Sequence, residues 1–166
     1  MVLTLLLAAL LTSPVAAQLT PRTMPLGQPV MLWLDRASAG VIAPPTYTRG
    51  EVVGVRVQVA SDRYVTLVGL SSQGRPFALP GHPGPVFAKT NTVHVAEVHT
   101  TNLPEGVTRI VAVTGERPVL FARAAIQAKA VVSAAKPLNG TAQLSFVLRA
   151  HGVTIPLPQD LRPLRP

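Results

Sequence analysis

Apolar and polar positions alternate most regularly between Tyr47 and Pro80. Val53, Val55, Val57 and Val59 fall on one face of this stretch and Gly54, Arg56 and Gln58 on the other. A period of two predicts a half-buried β-strand. Ala60-Ser61-Asp62-Arg63 supplies turn-type residues. Tyr64–Leu70 follows and is apolar on both faces, as in a central strand covered on both sides. Gln73-Gly74 ends that run and Pro76–Leu79 opens a third strand. Three strands separated by short turns are expected to form a β-meander.

Val30–Asp35 alternates Val30, Leu32 and Leu34 against Met31 and Trp33, and predicts another strand. Further strands are expected over Thr92–Val98, over Val107–Thr114 (low in polarity, hence interior) and over Thr141–Arg149, which puts Ala142, Leu144, Phe146 and Leu148 on one face. Ala37–Pro45 and Gly81–Ala88 read as loops. Between the last two strands the period changes. Leu120, Ala124, Ala128, Val131 and Ala135 recur at helical spacing, with Pro118 suited to a first turn and Pro137 and Asn139-Gly140 as stops. The expectation is a mainly-β, antiparallel β-sandwich-like domain over residues 30–155, with one helix near residues 118–135. An extended Pro-rich segment, residues 18–29, precedes it and a Pro-rich tail, residues 156–166, follows. Met1–Ala17 (MVLTLLLAALLTSPVAA) has the apolar run and small-residue end of a secretory signal peptide, with cleavage expected before Gln18. Its apolar run is too short to span a bilayer, and no Lys or Arg precedes it.

Composition narrows the picture. The 166 residues suit one domain, and with 48% hydrophobic but only 4% aromatic residues the core must be built from Val, Leu, Ile and Ala. Seventeen prolines and 12 glycines, spread between apolar runs, suit short strands joined by turns. The absence of cysteine excludes disulfides, thiolate metal sites, thiol catalysis and a lipid-modified N-terminal Cys. The formal charge of +8 suits an anionic envelope polymer or lipid surface, although the basic residues are mostly single arginines rather than a run. Arg56 and Arg109 are the candidate anion-binding residues, expected on one sheet face. The aromatics that a nucleic-acid interface interleaves with its basic stripe are missing.

Candidate chemistry is sparse. His94 and His99 fall on opposite faces of one strand, His82 lies in a loop and His151 lies far along the chain. Their spacing therefore proposes no converging set of three or four metal ligands, and no metal or other cofactor is expected. Gly69-Leu70-Ser71-Ser72-Gln73-Gly74 is similar to a nucleophile elbow, but the second glycine is one residue late and no helix follows, so a strand-to-turn exit is expected. The seven carboxylates stand mostly alone at strand ends and turns, with Asp62 and Glu105 explained by turn chemistry. Trp33 is read as a packing residue, and Asn139-Gly140-Thr141, although it fits a glycosylation sequon, as a turn.

The order of features resembles one family. A Leu-Trp-Leu-Asp strand precedes Tyr47-x-x-Gly50-Glu51 and an alternating valine strand. Ser61-Asp62-Arg63-Tyr64-Val65, Gln73-Gly74-Arg75, Leu79-Pro80 and Leu103-Pro104-Glu105-Gly106 then follow in turn. Across roughly Leu32 to Pro118 this resembles the bacterial domain of unknown function 4384 family. It departs where Ser72-Gln73 replaces an acidic turn residue and Ala78-Leu79-Pro80-Gly81 replaces a Phe-Pro-Asn-like segment. The resemblance implies an envelope or extracellular β-domain, often an accessory module, and carries over no catalytic residue. The leading expectation is an exported, non-catalytic interaction or structural module of the cell envelope, not a lipoprotein, with an envelope protein as partner. A second reading is a binder of an anionic polysaccharide or lipid surface through scattered Arg. A third is a hydrolase whose site is assembled from distant residues.

Overall fold

The computed structural model describes residues 21–36, 43–134 and 138–150. The expected signal peptide, His151 and the Pro-rich tail lie outside the described residues. The strands are β1 (Val30–Leu34), β2 (Thr46–Thr48), β3 (Val52–Val59), β4 (Arg63–Leu70), β5 (Pro76–Ala78), β6 (Val86–Ala88), β7 (His94–His99), β8 (Gly106–Gly115) and β9 (Thr141–Arg149), with helix α1 (Phe121–Ser133) between the last two. β1, β3 and β7 form one antiparallel sheet, in that order. The larger sheet runs β2-β9-β8-β4, with β5 and β6 both on the far edge of β4. Only the β2–β9 pairing in it is parallel.

The mainly-β, sandwich-like architecture, with one helix among the described residues, follows the sequence pattern. Val53, Val55, Val57 and Val59 turn inward from the small sheet and meet Val65, Leu67, Ile110, Ala112, Phe146 and Leu148 of the large one. Each fully buried aliphatic side chain there stabilises the fold by about 1.5–3 kcal/mol. The opposite face of the large sheet presents Val68, Leu70, Val111 and Val113 to Ala124, Ala125, Ala128 and Val131 of α1. Alanines at the contact let the helix sit close to the strands. β4 and β8 are therefore covered on both faces, as their continuous apolar runs require.

Several expectations need correction. β3 and β4 are not neighbours in a meander but belong to different sheets. The link Ala60-Ser61-Asp62 arches from one sheet to the other, so that the apolar faces of β3 and β4 oppose each other across the core instead of lying side by side. β3 is also less exposed than alternation implies. The backbone of Arg22 lies over its outer face: the Arg22 N–H donates to Gln58 Oε1 (2.8 Å) and Gln58 Nε2 donates to the Arg22 carbonyl (2.7 Å), leaving Gln58 buried. The Arg22 guanidinium sits 4.8 Å from the centre of the Trp33 ring, and Trp33 is a buried packing residue. The helix begins at Phe121, not in the turn of Pro118. Residues 116–120 fold back over Gly115, where a Cβ would approach the Arg117 carbonyl to 2.9 Å, and Thr66 Oγ1 donates to the Val119 carbonyl at 2.6 Å. Leu120 is consequently exposed. β6 lies inside the expected loop Gly81–Ala88, and β2 is an unexpected strand ahead of β3; at three residues each, neither is long enough to show a period.

Candidate binding cleft

The edge of the large sheet is discontinuous. β5 pairs with Val68–Leu70 of β4, and β6 pairs with Arg63–Val65. Between these registers Thr66 and Leu67 have no strand partner on that side. The intervening segment, Leu79-Pro80-Gly81-His82-Pro83-Gly84-Pro85, carries three prolines, which cannot donate to a ladder. It folds instead into a tight turn: the His82 N–H donates to the Leu79 carbonyl (2.9 Å), with proline second and Gly81 third at φ +84°. A positive φ at the third position is the type II geometry, which glycine adopts without strain. Leu79 is buried and anchors the turn, while a Cβ on Gly81 would lie 3.5 Å from the Glu97 carbonyl of β7. The turn thus reaches from the large sheet toward the edge of the small one.

Beneath it lies a cleft of about 110 Å³ between the two sheets. Val57, Val65, Leu67, Ala88 and Ala96 make it apolar, Val86 and Val95 rim it, and His82 and His94 line it. His94 opens β7 opposite Val57, on the inward face. Its Nε2 accepts the Lys89 N–H at 3.1 Å, which in the neutral ring puts the proton on Nδ1 and leaves that nitrogen a donor. The Lys89 segment is itself held. Asp62 Oδ1 accepts both the N–H and the hydroxyl of Thr90 (2.8 Å each), and these bonds, the backbone one foremost, hold the Asp62 carboxyl below the usual range. No carboxylate, hydroxyl or thiol side chain lines the cleft among the described residues. The arrangement offers an apolar hole with imidazole hydrogen-bonding groups at its lining.

The structure separates the residues that the sequence paired and unites two that it did not. Arg56 lies on the outer face of the small sheet, opposite Trp33, and its Nε is buried without a hydrogen-bond partner. Arg109 is exposed on the helix-bearing face of the large sheet, beside Val132 and Gln143. The two candidate anion-binding residues therefore occupy opposite outer faces of the sandwich, not one sheet face. His99 is exposed at the far end of β7 and faces outward, opposite Val52. His82 and His94, separate in the sequence, meet at one cleft because the arch at Ala60–Asp62 and the Pro80-Gly81 turn bring the two sheet edges together. The residue pattern around His82, Pro-Gly-His-Pro-Gly-Pro, is the signal for a built turn, and histidine spacing along the chain does not carry it.

The remaining polar groups of note are committed to structure. Tyr47 is buried, and its hydroxyl donates to Asp35 Oδ1 (2.8 Å). Burial first, and then the Asp35 bond, raise the Tyr47 hydroxyl above its ordinary range. Arg36 stacks 4.7 Å from the centre of that ring and pairs with Glu51 at 2.8 Å. Arg36, followed by the Thr48 N–H, holds the Glu51 carboxyl below its usual range. Glu105 pairs with Arg49 at 3.0 Å. Ser71 serves the turn after β4: its carbonyl accepts the Gly74 N–H (2.8 Å) and its hydroxyl accepts the Arg75 N–H (3.2 Å), with Gly74 at φ +73°, so the nucleophile-elbow likeness resolves as a strand exit. No helix among the described residues is long and apolar enough to cross a membrane. No family model matches the chain and no curated protein proves similar to it, so the resemblance to the domain of unknown function 4384 family rests on the order of its motifs alone.

Proposed function

We propose that this chain is an exported, non-catalytic β-domain that serves as an interaction module of the bacterial cell envelope. The observation that carries this reading is the interrupted sheet edge. Val86 of β6 (49% exposed) and Val95 of β7 (42%) rim the cleft, and Phe87 (45%) is exposed on the other face of β6 beside Tyr64. Solvated apolar side chains at a strand edge suit a partner that adds main-chain hydrogen bonds and docks side chains alongside. Affinity capture of the native exported protein, followed by a salt titration of the complex, tests it. Binding through a strand edge survives a rise from low to moderate salt. An intact mass beginning at Gln18 supports export, and a mature chain that keeps Met1–Ala17 counts against it.

A second reading, an anionic polymer held by arginine, draws on Arg22 and Arg56, both beside Trp33 on the outer face of the small sheet. Steep loss of binding over the same salt range favours it, because screening and counterion release weaken charge contacts. Hydrolysis of ester, peptide, phosphate or glycoside substrates, abolished by His82→Ala or His94→Ala, would defeat both readings.

A further inference from the structure

The geometry points to the cleft under the Pro80-Gly81 turn as a binding site for a short aliphatic monocarboxylate, with its chain among Val57, Leu67 and Ala96 and its carboxylate against His82 and His94. Size sets the tail. At about 110 Å³ the cleft is smaller than the roughly 150 Å³ cavity that accepts a benzene ring, so it suits a slim chain of about four carbons. Charge sets the head. Both polar lining side chains are imidazoles, and the nitrogen of His94 not used by Lys89 is a donor in the neutral ring and remains one when the ring is protonated. No carboxylate lines the cleft among the described residues, so an anionic oxygen meets imidazole N–H groups, that of His94 among them, and no like charge. A cationic head would meet no acceptor carboxylate. Pre-organisation comes from two contacts: the Leu79–His82 turn fixes the backbone of His82, and the Lys89 N–H holds the His94 ring. This inference concerns a small ligand and does not depend on what macromolecule the module meets.

A chain-length series read by histidine ring resonances tests it on the intact protein at one pH. Butyrate, pentanoate and hexanoate should bind saturably and shift the ring signals of His82 and His94 but not of His99. Affinity should rise about fourfold for each methylene that enters the cleft, and level off once the chain outgrows it. Acetate, which lacks the tail, and hexylamine, which reverses the head charge, should bind at least tenfold more weakly. Ala96→Leu fills the floor and should abolish hexanoate binding. Should that variant fail to fold, His82→Ala, on a half-buried turn residue, decides: it should weaken hexanoate at least fivefold with an unchanged melting temperature. Equal binding of hexylamine and hexanoate, no saturable shift, or unchanged affinity in His82→Ala overturns the assignment.

Discussion

Val55 and Arg56 are adjacent in β3 and face opposite ways, so substitutions at the two should have opposite signs. Val55 is fully buried between the sheets. Val55→Asp places a carboxylate there without a partner and should cost on the order of 3 kcal/mol or more in urea denaturation. Arg56→Met keeps an apolar stem beside Trp33 and removes the buried Nε that has no acceptor. Because an unsatisfied buried donor is itself a penalty, this change should stabilise the protein by about 1 kcal/mol. A loss of similar size would show that the guanidinium is held by contacts outweighing that penalty. Tyr47 makes a third case. Its raised hydroxyl pKa means that the folded state favours the neutral phenol. The stability it contributes is therefore complete below the unfolded tyrosine pKa of about 10 and is lost as pH climbs above it. Tyr47→Phe should cost about 1 kcal/mol near neutrality, from the Asp35 bond, and should flatten the alkaline limb of the stability profile.

Gly69 shows what an element demands of one position. A Cβ there would lie 2.3 Å from the Phe77 ring of its cross-strand partner β5. Gly69→Ala must push that ring aside and should cost about 1–3 kcal/mol, measured by thermal or denaturant unfolding. It should also loosen the attachment of β5, from which the His82 turn departs. Strands whose side chains alternate or run apolar for many residues were legible, and Thr141–Arg149 coincides with β9. The partnering of strands was not. A short link of turn residues between β3 and β4 reads as a hairpin, yet the same residues can arch between sheets, and only the tertiary packing of Val53–Val59 against Val65 and Leu67 selects the arch. The cleft is not legible in the sequence for the same reason. Local spacing along β7 separates His94 from His99 correctly, but says nothing of His82, which a turn on the other sheet delivers. Helix existence was legible from the alanine spacing. Its start was not, because Pro118 fits a first turn in isolation while the fold needs residues 116–120 for the return over Gly115.

At the scale of the whole molecule, the +8 charge meets no single basic face through Arg56 and Arg109, which point away from each other. The two imidazoles at the cleft fall short of the three or four ligands that hold zinc. A chelator should therefore leave the melting temperature of the purified protein unchanged, and a shift of several degrees would reveal a ligand set beyond these two histidines. The parallel pairing of β2 with β9 has a consequence in time. β2 lies at residues 46–48, and its strand neighbour, at residues 141–149, is also a neighbour of β8. The larger sheet therefore cannot close until those late residues have been synthesised. Distant pairings of this kind make folding slow, on the scale of milliseconds to seconds. Until β9 emerges, β2 has no strand partner and the edge of β8 that β9 covers stays bare, while β1, β3 and β7 and the pairing of β4 with β8 already have all their residues.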